Sequence, residues 1–135
     1  MFGVRTSLRP SPIHGIGVFA EVPIKKDRLV WKFDTRHDLR IPVAELPSLP
    51  AMAREHIRIR AYAEMVAGQK VMTLCADNSQ NINQSSYPNL LGSEDGLQEL
   101  VAWDIAAGGE LTCNYYKSDL AADEKLGNNP SGAMI

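Results

Sequence analysis

The chain has 135 residues, of which 44% are hydrophobic and 22% charged, and its net charge is -2. This is the size and composition of one globular domain with its own core, and a charge so near zero argues against a dedicated nucleic-acid binder, which needs a concentrated basic face. No apolar run of signal or membrane-spanning length follows Met1, so the expected location is intracellular (cytoplasmic, or nuclear in a eukaryote), with no membrane partner. Cys75 and Cys113 lack CxxC spacing, and His14, His37 and His56 are scattered, so no metal site is expected.

Residues 4–8 read as a short strand, ended by the turn-prone Arg9-Pro10-Ser11-Pro12. Gly15 and Gly17 bracket Ile16, a pattern that permits a tight turn and close backbone approach to a ligand. The further glycine and following helix of a dinucleotide site are missing. Val18-Phe19-Ala20 leads out as a strand. Residues 24–27 read as a hairpin turn, and the β-branched and aromatic run 29–33 reads as another strand. Pro42, Pro47 and Pro50 break the next stretch. Residues 51 to about 60, rich in good helix formers, are the best helix candidate. Residues 61–66 and 70–76 flank Gly68-Gln69, a hairpin signal.

Between the predicted strands lies 77–89, a run of amides and hydroxyls interrupted only by Ile82, Tyr87 and Pro88. A polar connection of that length inside a domain is usually functional or disordered. Residues 97–105 read as a strand carrying Trp103, 106–109 as a turn, and 110–116 as a final short strand. Trp31 and Trp103 are expected in the core. Residues 117–135 hold no aromatic side chain, and their end, 127–132, is turn- or tail-like. The sum is a mainly β domain of many short strands with one or two short helices.

Three stretches share an order and spacing. They are Gly15-Ile16-Gly17-Val18-Phe19-Ala20, then Asn83-Gln84-Ser85-Ser86-Tyr87-Pro88-Asn89, then Ala102 and Ile105 leading into Gly108-Gly109-Glu110-Leu111-Thr112-Cys113-Asn114-Tyr115. Together they resemble the SET domain of protein lysine methyltransferases, in a minimal single-domain form. The resemblance implies a β-clip-like fold of several small sheets with a knot-like C-terminal threading. It places the SET domain at 1–116 and a tail without a zinc-binding cysteine cluster at 117–135. It implies methyl transfer from S-adenosyl-L-methionine (AdoMet) to a lysine amine of a protein substrate, a histone or another basic protein.

By the same resemblance, His14, Gly15, Ile16 and Gly17 would hold the methionine end of the cofactor. Asn83 would contact it through its amide, and Gln84 through its backbone. Tyr115 would be the catalytic residue and also touch the cofactor. Tyr62 and Tyr116 are weaker candidates for lining the lysine channel. Pro88 and Asn89 would fix the loop, and Glu110 would be structural. The chain departs from the family pattern at Gln84, where histidine is usual, and at Gln80-Asn81, where Arg-Phe is frequent. The tail offers no aromatic cap. Either a partner subunit in a homodimer, the substrate, or the tail's Leu120 and Leu126 closes the site, or it stays open. The alternative reading is a catalytically weak or inactive SET-fold module that binds AdoMet or a protein partner.

Overall fold

The computed structural model describes residues 1–127. Among them, ten short strands form three small sheets. The first contains β1 (Thr6–Pro10), β2 (Ile16–Ala20), β7 (Asn83–Gln84) and β10 (Glu110–Cys113), in the order β1-β2-β10-β7. The second contains β3 (Leu29–Lys32), β8 (Leu90–Gly92) and β9 (Gln98–Val101), in the order β3-β9-β8. The third contains β4 (Leu39–Pro42), β5 (Tyr62–Val66) and β6 (Gln69–Leu74), in the order β4-β6-β5. Helix α1 covers Ala51–Arg60, and the short helices α2 (Tyr115–Ser118) and α3 (Ala122–Leu126) follow β10. The fold is mainly β with several small sheets.

Two apolar clusters hold it. The larger draws Val18 and Ala20 from β2, Val30 from β3, Leu90 from β8, Val101 from β9 and Leu111 from β10, with Ile24, Ile82 and Ile105. The first two sheets are too small to bury both faces of each, so they share this cluster between them. The smaller cluster sets Ile57 of α1 against Ala61, Ala63, Met72 and Ala121. Leu126 of the predicted tail is fully buried, whereas Leu120 is exposed. The tail therefore packs as far as α3, and most of the predicted turn at 127–132 lies outside the described residues.

Several local expectations hold. Helix α1 spans 51–60, and the 61–76 segment is a hairpin. Its two turn residues are Ala67 and Gly68, both at positive φ (49° and 77°), the geometry that matches strand twist in a two-residue loop. Others differ. The first strand runs on through Pro10, which is tolerated because it ends the edge strand β1 opposite Ile16. Strand β9 stops at Val101, so Trp103 lies on the following bend and is half exposed rather than in the core. Trp31 is buried, as expected. The last strand stops at Cys113. Asn114 then caps α2, its side chain accepting a hydrogen bond from the Tyr116 N–H, so Tyr115 and Tyr116 are helical rather than extended.

Candidate functional site

The polar run at 77–89 is ordered by its own side chains. Asp77 caps a 3-10 turn (Asn78–Asn81), accepting from the Ser79 N–H. The chain then forms β7, which pairs in parallel with β10: Asn83 lies opposite Thr112 and Gln84 opposite Cys113. At the far end of the loop, Asn89 holds the same strand. Its Nδ2 donates to the Glu110 carbonyl at 2.8 Å, and its Oδ1 accepts from the Thr112 N–H at 2.8 Å. Both ends of the loop thus hold β10. Asn89 fixes the loop, as the sequence suggests.

Asn83 joins this loop to the glycine turn. Its Nδ2 donates to the His14 carbonyl at 3.0 Å and to Oε1 of Glu110 at 2.9 Å. The Glu110 carboxylate also accepts from the Ser11 hydroxyl at 2.8 Å. Gly17 makes room for this group, because a Cβ there would lie 2.1 Å from Glu110 Oε1. Gly15 has a different task. It stands at φ 47°, with nothing within 4 Å of where a Cβ would point.

Gln84 is almost fully buried, and its Oε1 accepts from the Tyr115 N–H at 2.5 Å. The Tyr115 hydroxyl donates to the Ile82 carbonyl at 2.5 Å. Both ends of Tyr115 are therefore held by the 82–84 segment. Burial, with smaller contributions from Cys113 and Asp119, pushes the Tyr115 hydroxyl well above its ordinary range, so it is a neutral phenol at neutral pH. Burial does the same to Tyr62.

Two cavities meet here. The smaller, of about 250 Å³, is lined by His14, Gly15, Ile16, Asn83 and Tyr115, together with Ile59, Arg60, Gln80 and Asn81. The larger, of about 520 Å³, is lined by Tyr62, Tyr115 and Tyr116 among others, and Ile59, Arg60 and Gln80 recur in it. Tyr115 stands in the wall of both. The fold of this chain is that of a SET domain. It superposes on a humanized mutant of the Chaetomium thermophilum Polycomb Repressive Complex 2 bound to an inhibitor, with a TM-score of 0.64 and 21% identity. That match covers 90% of this chain but spans only 16% of the other. It also superposes on a Plasmodium falciparum protein named as a candidate histone methyltransferase. There the TM-score is 0.55 and the identity 18%, over 83% of this chain and 93% of that one. No protein-family model and no curated protein sequence matches the chain.

Within this SET fold, His14, Gly15, Ile16, Asn83 and Tyr115 come together at the smaller cavity, and Tyr62, Tyr115 and Tyr116 at the larger. Gly17 and Gln84 line neither: the first faces Glu110, and the second lies behind Tyr115. Arg60 was not among the candidates that the sequence offers. It lies at the end of α1, donates to Asn81 Oδ1 at 2.7 Å and reaches both cavities. The only sequence hint was its place two residues before Tyr62. Among the described residues no three His, Cys, Asp or Glu side chains are grouped to hold a metal, and no helix is long and apolar enough to cross a membrane.

The tail closes one side of the larger cavity. Asp119 and Lys125 form a buried ion pair at 2.6 Å. Asp119 Oδ1 also accepts from the backbone N–H groups of Ala63 and Ala121, and Lys125 donates to the Ala61 carbonyl. The pair ties α2 and α3 to β5. Nζ of Lys125 lies 5.9 Å from the centre of the Tyr115 ring.

Proposed function

We propose that the protein transfers a methyl group from AdoMet to the ε-amine of a lysine in a protein substrate. The observation that carries this reading is the position of Tyr115, in the shared wall of two cavities of different size. A two-substrate transfer needs its reactants to approach from separate sides and meet at one point.

The smaller cavity suits the cofactor. The open space over Gly15 leaves the backbone of the glycine turn accessible to an amino-acid group. The Arg60 guanidinium in its wall is a partner for a carboxylate. Asn83 aligns the turn through the His14 carbonyl, so its amide organises the cavity as well as lining it. AdoMet supplies an electrophilic methyl on a sulfonium. The chain's residues do the rest. Tyr115 is neutral, and its proton is committed to the Ile82 carbonyl, so the phenol oxygen offers lone pairs. Those lone pairs align an amine N–H and favour positive charge developing beside them. Tyr115 serves as a fixed dipole rather than a base. The partly apolar wall of the larger cavity accommodates the methylene stem of an entering lysine.

The SET fold is shared with a Polycomb complex and with a chain named as a candidate histone methyltransferase, which supports a histone or other basic protein as the substrate. Calorimetric titration with AdoMet tests the cofactor assignment. Saturable binding weakened at least tenfold by Arg60→Met or Gly15→Val is expected, and the absence of heat in the wild type would count against it. The second reading, a module that binds without turnover, draws on Asn83, whose Nδ2 already has two close acceptors within the chain.

A further inference from the structure

Strand β9 places a charge where its pattern calls for an apolar residue. Side chains two apart on a strand share a face. Val101 is buried in the larger core and Leu100 is exposed, so Glu99 lies on the inward side with Val101. There it is half-buried in the wall of the larger cavity, opposite Trp31 of β3. Its carboxylate has no hydrogen bond or ion pair among the described residues.

The other charged groups along that wall do not meet its need. Glu64 is held by Arg40 at 2.9 Å and by the Thr73 hydroxyl. Asp119 is paired with Lys125, Asp95 accepts from Ser93 and Leu97, and Arg60, bonded to the neutral Asn81, forms no ion pair with Glu99. Glu94 and Lys117 are exposed. The Cys113 thiol beside Glu99 is itself raised by burial and by Glu99's charge. The α-ammonium of Met1 offsets the burial of Glu99 only in part, and its carboxyl is held up at about 7. A second unsatisfied group stands in the same wall. The indole Nε1–H of Trp31, a residue 5% exposed, has no acceptor among the described residues. A half-buried carboxylate without a partner either takes a proton or meets a cation.

We propose that Glu99 is the cation anchor of the larger cavity, its carboxylate pairing with the ammonium of a lysine side chain brought in by a protein ligand, beside the indole of Trp31. This rests on reading the larger cavity as the protein-substrate side. Pairing gives the carboxylate the counter-charge the chain withholds, and the adjoining indole suits an ammonium and its methylene stem. Because the cation prefers ionised Glu99, its entry displaces the proton held there at rest.

The test uses the whole chain and n-butylammonium as the lysine head group, with butan-1-ol as its neutral counterpart, followed by NMR. The amine stays charged at both pH 6 and pH 8, while the ionised fraction of a carboxyl titrating near 7 rises from about a tenth to about nine-tenths. The affinity for n-butylammonium is therefore expected to rise about tenfold from pH 6 to pH 8, while that for butan-1-ol stays level. In Glu99→Gln the rise disappears. A rise of equal size in Glu99→Gln, or none in the wild type, overturns the proposal. Should the variant fold poorly, the Glu99 carboxyl carbon in the wild type decides: its titration midpoint falls when n-butylammonium is present, and an unmoved midpoint overturns the anchor. AdoMet added to the same samples separates the two claims. A pH step without any response to AdoMet supports the anchor and removes the cofactor reading, whereas AdoMet binding without the step does the reverse.

Discussion

Oε1 of Glu110 lies 2.9 Å from the amide nitrogen of Asn83, and Gly17 passes beside the contact with no side chain to obstruct it. Residues from all three family-like stretches meet there. An added methyl at position 17 would strike Glu110 Oε1 at 2.1 Å and sit 3.1 Å from the Asn83 amide, and the carboxylate is tied by Ser11 as well. Gly17→Ala should therefore cost about 1–3 kcal/mol, as overpacking does. Urea denaturation checks this; an unchanged midpoint would mean that the carboxylate moves aside freely.

Gln84 is buried and has a defined task, accepting from the Tyr115 N–H. Gln84→Leu keeps much of the volume and leaves that N–H without its acceptor, which costs about 1–3 kcal/mol. Gln84→His retains an acceptor nitrogen and should cost less than Gln84→Leu. Parallel unfolding curves rank the two, and the reverse order would show that Gln84 contributes by packing alone.

The Asp119–Lys125 pair predicts an asymmetry. Asp119→Ala strands a buried ammonium and removes the acceptor of the Ala63 and Ala121 N–H groups. Breaking a buried pair in this way costs about 3–5 kcal/mol. Lys125→Met leaves the carboxylate with both N–H donors and should cost less. Equal losses in denaturant melts would refute the view that Asp119 is the hub.

Glu99 sets a pH dependence of stability. Burial raises its folded-state pKa from the ordinary value of 4.5 to about 7, so between these values the native chain binds more protons than the unfolded one. Its contribution is then fully favourable below 4.5 and is lost as pH rises toward 7. Unfolding free energies across pH 5 to 8 should fall more steeply for the wild type than for Glu99→Gln. Parallel curves would place the carboxylate in solvent.

The positions of the elements were largely legible, because α1, the 61–76 hairpin and the glycine turn follow from local propensity and turn chemistry. The cavity walls were not. Tyr115 is placed by Gln84 and Ile82, more than thirty positions earlier in the chain, so no window of sequence reveals which way its ring points. Its helical backbone had a local sign that went unread, the capping residue Asn114. Trp103 looked like core from its hydrophobicity, but the strand that would have carried it inward ends two residues before. Arg60 and Glu99 resemble surface charges in sequence, and only the packing of α1 and β9 turns them to the cavities.

Transfer of label from methyl-labelled AdoMet to protein substrates, compared between the wild type and Tyr115→Phe, tests the central claim most directly. Phenylalanine keeps the ring and removes the oxygen held by Ile82. Label should appear on lysine with the wild type and fall about a hundredfold or more with the variant, the scale of losing one preorganised polar group at a reacting centre, while thermal unfolding shows the variant folded. Equal transfer by the two proteins, or none by the wild type to any basic protein offered, would contradict it.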